Sequence, residues 1–151
     1  MKEQKVYDFV RSLGCEPLEH GAIVVKRAPE TIPLAIAEFV TQSAPWKVLC
    51  LCRAEIVVVS LGEMGLGLKK NASYRVISHD NVRGVSVELA DGGMSRRIAI
   101  DLDDEEIVLN AQHEATSALR TSSLFGAWHA ENLPAVMAAL ESLGTPAATA
   151  E

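Results

Sequence analysis

The clearest pattern in the chain is a regular alternation of large apolar residues with polar or small residues in two neighbouring segments. Residues 85–89 (VSVEL) and 97–102 (RIAIDL) both alternate, and the turn-forming sequence ADGGMS lies between them. Because successive side chains of a strand point to opposite faces, each segment predicts a strand with one buried face. The pair predicts an antiparallel hairpin, and EIVLN, which follows a polar turn, predicts a further antiparallel strand.

Two apolar runs of strand length precede this hairpin. WKVLCLC begins at Trp46 and EIVVVSL ends at Leu61, with only Arg53 and Ala54 between them, which predicts a second hairpin. Because these runs are apolar on both faces, we expect them near the centre of the fold. The glycine-rich sequence EMGLGLKKNAS then predicts a loop, and YRVIS predicts a return to extended structure.

Helical spacing of apolar residues marks the two ends of the chain. In the N-terminal segment Gly14 follows the last apolar position, where a left-handed residue would end a helix. In the C-terminal segment Asn132 and Pro134 stand at the start of the apolar stripe, and Gly144 lies just past its end. The sequence therefore predicts an amphipathic helix at each end. Their apolar positions are Val6, Phe9, Val10 and Leu13, and Leu133, Val136, Met137, Leu140 and Leu143.

Other segments have a weaker pattern. Residues 23–25 form a short β-branched run after the turn-like sequence Glu19-His20-Gly21. Residues 33–41 fit either a helix or an extended segment, with the helix favoured. Residues 111–130 are mostly polar or small and predict a long loop, and residues 144–151 have nothing to bury and predict a disordered tail.

The order of these elements indicates an α+β fold that is mostly antiparallel β. Six or seven strands followed by one helix suit a curved sheet or open barrel capped by that helix. Three stretches resemble successive sections of the bacterial pleckstrin-homology-like (PH-like) domain family. They are VLCLCRAEIVVVS (48–60), YRVISHDNVRGVSVELADGGMSRRIAIDL (74–102) and NLPAVMAALESL (132–143), and the resemblance covers residues 46–143.

The length of 151 residues predicts a single domain, which we expect over residues 1–143. Residues 46–143 would form the PH-like core, residues 1–45 an N-terminal helical extension, and residues 144–151 the tail. The family implies no common ligand, and PH-like scaffolds bind lipids, peptides and other proteins. The fold alone therefore leaves the function open.

The composition limits the classes of partner. Hydrophobic residues make up 48% and charged residues 23% of the 151 residues, which is typical of one globular domain. The formal net charge of −6 repels nucleic-acid phosphates and anionic lipids, so we expect no nucleic-acid partner and no strong membrane attachment. The nearest thing to a basic cluster in the sequence is the group Lys69, Lys70 and Arg75. It supports peripheral membrane attachment only as a weaker alternative.

Three cysteines, Cys15, Cys50 and Cys52, stand in a chain that begins without an apolar export signal. This odd number of thiols suits a reducing compartment, so we expect a cytoplasmic protein. Cys50 and Cys52 would point to the same face of a strand and could in principle contact one metal ion. Their spacing does not match a zinc knuckle, and two buried thiols are the favoured interpretation, so we expect no metal or cofactor.

One pair of adjacent residues, His79 and Asp80, invites an acid–base interpretation, because a carboxylate can orient an imidazole. Neighbouring side chains on an extended segment point apart, however, and this pair falls in a polar turn. The turn interpretation is favoured, and a small ligand-binding or enzymatic pocket at His79 and Asp80 is the alternative. We find no catalytic constellation.

Phe125 and Trp128 are large apolar residues in an otherwise polar segment. If they are exposed they mark a protein contact, and packing beneath the loop is an equal alternative. The function most compatible with the sequence is a non-enzymatic binding or assembly module that acts through protein contacts, either with a partner protein or by self-association.

Overall fold

The computed structural model describes residues 2–27, 46–61, 73–90, 95–112 and 127–144. Within these ranges, a first helix, α1, is followed by seven strands, a short 3-10 helix between the fourth and fifth strands, and a second helix, α2. The bounds are α1 Glu3–Ser12, β1 Pro17–Arg27, β2 Trp46–Cys52, β3 Glu55–Ser60, β4 Tyr74–Ser78, the 3-10 helix His79–Asn81, β5 Gly84–Ala90, β6 Ser95–Asp101, β7 Glu106–Gln112 and α2 Trp128–Gly144.

All seven strands belong to one antiparallel sheet in the order β4-β3-β2-β1-β7-β6-β5. Both predicted hairpins are present as β2–β3 and β5–β6, and EIVLN lies within β7. The predicted α+β class with antiparallel strands and a helix at each end is therefore confirmed, and the arrangement is consistent with a PH-like fold. The sheet is open, with β4 and β5 as its outermost described strands.

The central strands are buried on both faces, which explains their unbroken apolar sequences. Leu49 and Leu51 of β2 point into an inner core that is completed by the apolar side of α2, including Leu133 and Leu140. The alternate residues of β2 point into an outer core beneath α1. Because residues i and i+2 of a strand share a face, one short strand can supply both cores. The outer core includes Val6 and Val10 of α1, and Val48, Cys50 and Cys52 of β2.

Strand β1 occupies the centre of the sheet, where it pairs with β2 and, at Lys26 and Arg27, with β7. The prediction of a helical extension over residues 1–45 outside the core was therefore wrong, because residues 17–27 supply a central strand. The turn-like sequence there is a bulge within β1. The register with β2 shifts between Pro17 and Ala22, and His20 has a left-handed backbone with φ of 58°.

The bulge gives a testable role to Gly21. A Cβ atom placed on Gly21 would lie 2.8 Å from the carbonyl oxygen of Leu51 and 2.9 Å from that of Leu18, and backbone cannot move aside easily. We expect Gly21→Ala to lower the free energy of unfolding by about 1–3 kcal/mol, as other overpacked substitutions do.

Gly84→Ala is the matched control, because nothing lies within 4 Å of the added methyl group at Gly84. Urea denaturation followed by circular dichroism measures both variants. Equal unfolding free energies for the two alanine variants would contradict the close approach of the backbone at Gly21.

Helix α2 begins earlier than the sequence pattern indicates. It starts at Trp128 rather than near Asn132, so residues 128–130 are helical although they were predicted to belong to a loop. Pro134 consequently lies inside the helix. A proline has no N–H to donate and usually marks a helix start, which is the physical reason that the pattern gave a late boundary. The first turn contains the backbone bond from Glu131 N–H to the carbonyl oxygen of Ala127, at 3.1 Å.

Gly14 has the predicted left-handed conformation after α1, with φ of 88°. Several other predictions lie outside the described residues. These are the ambiguous segment 33–41, most of the glycine-rich loop, most of the predicted loop 111–130, and the tail beyond residue 144.

Candidate functional site

His79 and Asp80 lie in the 3-10 helix that follows β4. The hydroxyl of Ser78 accepts the N–H of Asp80 at 3.3 Å, and the N–H of His79 donates to the carbonyl oxygen of Ala54 at 2.9 Å. These are the contacts of a capped turn that is fastened to the β2–β3 connection. The hydrogen bonds at this position therefore agree with the turn interpretation, and the enzymatic alternative stays a hypothesis.

Of the two residues of the predicted protein contact, Phe125 and Trp128, the structure describes Trp128. Trp128 is 7% exposed and packs in the outer core together with Trp46. Phe125 lies outside the described residues. The alternatives were an exposed protein contact and packing inside the fold. Trp128 packs inside the fold, and a side chain that is already buried leaves little area for a partner.

Cys15, Cys50 and Cys52 are unpaired and buried on the outer face of the sheet. A hydrogen bond with Cys52 and burial raise the pKa of Cys50, and burial raises the pKa of Cys15. Both groups are therefore protonated thiols at neutral pH, which are poor nucleophiles. Within the described ranges, no group of three or more His, Cys, Asp or Glu side chains is arranged to hold a metal ion.

An exposed apolar surface lies along β4, at the end of the described sheet. Tyr74 is 53% exposed and Val76 is 41% exposed. Their cross-strand partners in β3, Val59 and Val57, are buried in the outer core. Phe9 of α1 contacts Tyr74 edge to face, with ring centroids 6.1 Å apart. Phe9, Tyr74 and Val76, here named the β4 patch, therefore extend the outer core to the rim of the sheet.

On its inner face, opposite Val76, β4 borders a cavity of about 260 Å³. Its apolar floor includes Val58, Ile107 and Leu109, which continue the inner core. Polar side chains of β2, β3 and β4 also border the cavity on this inner face. The cavity is lined by Lys47, Val58, Ser60, Ser73, Tyr74, Arg75, Ile107 and Leu109.

Two ion pairs connect β4 and the chain after it to the β6–β7 turn. The Arg75 guanidinium donates to both carboxylate oxygens of Glu105, at 2.8 and 2.6 Å, and Arg83 forms a similar pair with Asp103. The hydrogen bonds from Arg75 lower the pKa of Glu105, and those from Arg83 lower the pKa of Asp103. Both pairs are exposed, so they orient the β4 edge more than they stabilise the fold.

A buried polar cluster joins α2 to β1 and α1. His129 and Asn132 are 0% and 1% exposed. The N–H of Val24 donates to His129 Nδ1 at 3.0 Å, and the Asn132 amide donates to the carbonyl oxygen of Ala22 at 2.9 Å. Among the described residues, β7 pairs with β1 at Lys26 and Arg27. Nearer the start of β1, the side chains of His129 and Asn132 supply hydrogen bonds to the backbone of Val24 and Ala22.

The same cluster continues into α1. The Asn132 amide also donates to Glu3 Oε2 at 2.6 Å, and the Tyr7 hydroxyl donates to the same oxygen at 2.6 Å. Asn132 Oδ1 lies 3.2 Å from His20 Nδ1. Burial and the hydrogen bond to Glu3 raise the pKa of Tyr7. This arrangement satisfies buried polar groups and holds three elements together, which is a structural role.

Sequence reasoning missed the cavity and the β4 patch. A usable signal was present, because Lys47, Ser60 and Arg75 are polar residues at inward positions of strands that are otherwise apolar on that face. The sequence does not show which face of β4 is buried. Without knowing which face α1 covers, it could not be predicted that Tyr74 and Val76 are exposed and that Arg75 points inward.

Comparisons with family models, with curated proteins and with solved structures find no significant match to this chain. Membership of the bacterial PH-like family therefore stays a prediction. Within the part of the chain that the structure describes, neither helix combines the length and the apolar character needed to cross a bilayer.

Proposed function

We propose that this chain is a non-enzymatic binding module with a PH-like fold, and that it binds an extended segment of a partner protein along β4. The observation that carries this proposal is the exposed apolar surface of Tyr74 and Val76 on the outermost described strand at that side of the sheet. The partner segment adds as a further antiparallel or parallel strand. Main-chain hydrogen bonds supply affinity in this mode, and alternate side chains supply specificity.

The character of the edge supports strand addition. Natural proteins protect edge strands with outward charges, prolines or bulges. In β4 the one charged side chain, Arg75, points to the inner side and is paired with Glu105. The outer positions carry Tyr74 and Val76, which gain apolar burial when another strand packs beside them. A partner with apolar side chains at alternate positions fits this surface.

A partner protein is a better occupant than a second copy of the chain. Each copy has a formal net charge of −6, so two copies repel one another at long range. Size-exclusion chromatography with light scattering separates the two cases. We expect the mass of a monomer, and a stable dimer that dissociates on the substitution Val76→Lys would instead assign the β4 patch to self-association.

The other hypotheses gain no comparable support. His79 and Asp80 make turn contacts, and Arg75, one of the three residues of the basic cluster, is neutralised by Glu105. Lys69 and Lys70 lie outside the described residues. We also propose a cytoplasmic location, which the three unpaired, buried cysteines support.

The test is a selection of random linear peptides displayed on phage, carried out on the full chain and on Val76→Lys. Lysine on the edge strand disfavours pairing with an added strand, and the substituted side chain is partly exposed, so the fold is retained. We expect peptides enriched on the wild type to bind Val76→Lys at least about tenfold more weakly, since loss of apolar contact and added charge act together.

Leu89→Lys is the matched control, because Leu89 is 62% exposed on β5, the other outermost described strand. Peptides selected on the wild type are expected to keep their affinity for Leu89→Lys. Equal binding to the wild type and Val76→Lys, or the loss of binding in Leu89→Lys instead, would contradict the assignment to β4. Circular dichroism of both variants verifies that they are folded.

A further inference from the structure

The inner cavity beside β4 combines an apolar floor with the ammonium group of Lys47, which pairs with no carboxylate of the described residues. Lys47 and Ser60 are directly opposite in the β2–β3 ladder, and the Lys47 ammonium donates to the Ser60 hydroxyl at 3.1 Å. Within the described residues, Lys47 makes no ion pair. An ammonium has three donors, and Ser60 accepts only one of them.

The neighbouring cation is different. Arg75 also lines the cavity, but both oxygens of Glu105 accept its guanidinium N–H groups. The charge of Arg75 is therefore balanced within the fold, whereas the charge of Lys47 faces a half-buried space above Val58 and Leu109. A cation in such a place attracts an anionic group more strongly than it would on an open surface.

We propose that this cavity is a binding site for a small aliphatic monocarboxylate. The carboxylate accepts hydrogen bonds from the Lys47 ammonium and the Ser73 hydroxyl, and the aliphatic chain lies against Val58, Ile107 and Leu109. The volume of about 260 Å³ corresponds to the space of about nine water molecules in the liquid. It is therefore suited to a short-chain acid.

This site uses different binding groups from strand addition. Tyr74 belongs to the β4 patch and also borders the cavity, but the carboxylate is held by Lys47 and Ser73 and the aliphatic chain by residues of the inner core, so a bound peptide is not required. The two proposals can therefore fail separately, and one variant distinguishes them. Val76→Lys is expected to lose the selected peptides and to retain the carboxylate.

The test is a titration of the full ¹⁵N-labelled chain with hexanoate, followed by two-dimensional NMR. We expect saturable shifts at the amides of the cavity, including Ser60, Arg75 and Leu109. Lys47→Met keeps a long side chain but removes the charge, and we expect it to weaken hexanoate binding about tenfold or more, because a hydrogen bond to a charged group is lost. Hexanol, which has no charge, is expected to bind the wild type and Lys47→Met equally.

Lys5→Met is the matched control, because Lys5 is an exposed residue of α1. It is expected to bind hexanoate as the wild type does. Absence of saturable shifts, shifts centred on other elements, or equal hexanoate affinity in Lys47→Met and the wild type would each overturn the proposal. Equal affinity of the wild type for hexanol and hexanoate would overturn the role of Lys47.

Discussion

Asn132→Leu is expected to lower the free energy of unfolding by about 2–4 kcal/mol, because buried polar groups that lose their partners cost about 1–3 kcal/mol each. Leucine has the same branched arrangement of non-hydrogen atoms as asparagine but accepts and donates no hydrogen bonds. The substitution would leave the carbonyl oxygen of Ala22 without the Asn132 amide and would remove one donor from Glu3. Equilibrium unfolding in urea, followed by circular dichroism, measures the change.

The control for this substitution is Ala138→Leu, which places the same side chain on the exposed side of α2. Its effect should stay within about 0.5 kcal/mol, as for most surface substitutions. A second variant, Glu3→Gln, keeps a carbonyl oxygen that can accept the bond from Asn132, so it should be milder than Asn132→Leu. An unfolding free energy for Asn132→Leu equal to that of Ala138→Leu would contradict the buried cluster.

Trp128→Ala is expected to lower the free energy of unfolding by about 3–5 kcal/mol, the range found when a buried Trp or Phe is truncated. The side chain is buried in the outer core, so its loss removes apolar burial and leaves a cavity. An exposed contact residue would behave differently, because truncation of an exposed side chain changes stability little. Urea unfolding by circular dichroism measures this variant without relying on tryptophan fluorescence.

Tyr74→Ala is the matched comparison, since Tyr74 is an aromatic residue that is half exposed. It loses its edge-to-face contact with Phe9, for which about 0.5–1.5 kcal/mol is expected, and much less buried area than Trp128. If Trp128→Ala were no more destabilising than Tyr74→Ala, the placement of Trp128 in the outer core would be wrong.

The strands with the most regular patterns could be predicted from the sequence. In the β5–β6 hairpin large apolar residues alternate with polar or small ones. The register pairs Val85 with Ile100 and Val87 with Ile98, so the large apolar residues share one face. The β2–β3 hairpin could be predicted because its runs are apolar throughout. In both cases local pattern and tertiary environment agree, which is the condition under which sequence reasoning succeeds.

The two elements that were misplaced have local sequences that contradict their environment. The bulge at His20 and Gly21 interrupts β1 with residues that usually form turns, so the local pattern predicts only a short run where a long central strand lies. Pro134 marks a common helix start but lies inside α2. In each case long-range contacts decide the structure. His129 and Asn132 extend the helix to the edge of β1, and such contacts leave no periodic signal.

The candidate site was hidden for a related reason. The sequence of β4, YRVIS, shows that Tyr74, Val76 and Arg75 alternate, but it does not show which face is covered. Helix α1 packs against β1 and β2 at the outer face of the sheet and contacts β4 through Phe9, while Tyr74 and Val76 stay exposed. The buried cluster supports this arrangement, because Glu3 and Asn132 fix α1 relative to α2.

The most direct test of the proposed function is a map of NMR contacts between the labelled full chain and a peptide selected on it. We expect nuclear Overhauser contacts between backbone protons of the peptide and those of β4, residues 74–78, in the pattern of neighbouring strands. Side chains at alternate peptide positions should contact Tyr74 and Val76. Peptide contacts confined to β5, to α2 or to side chains without any backbone pairing would contradict strand addition at β4.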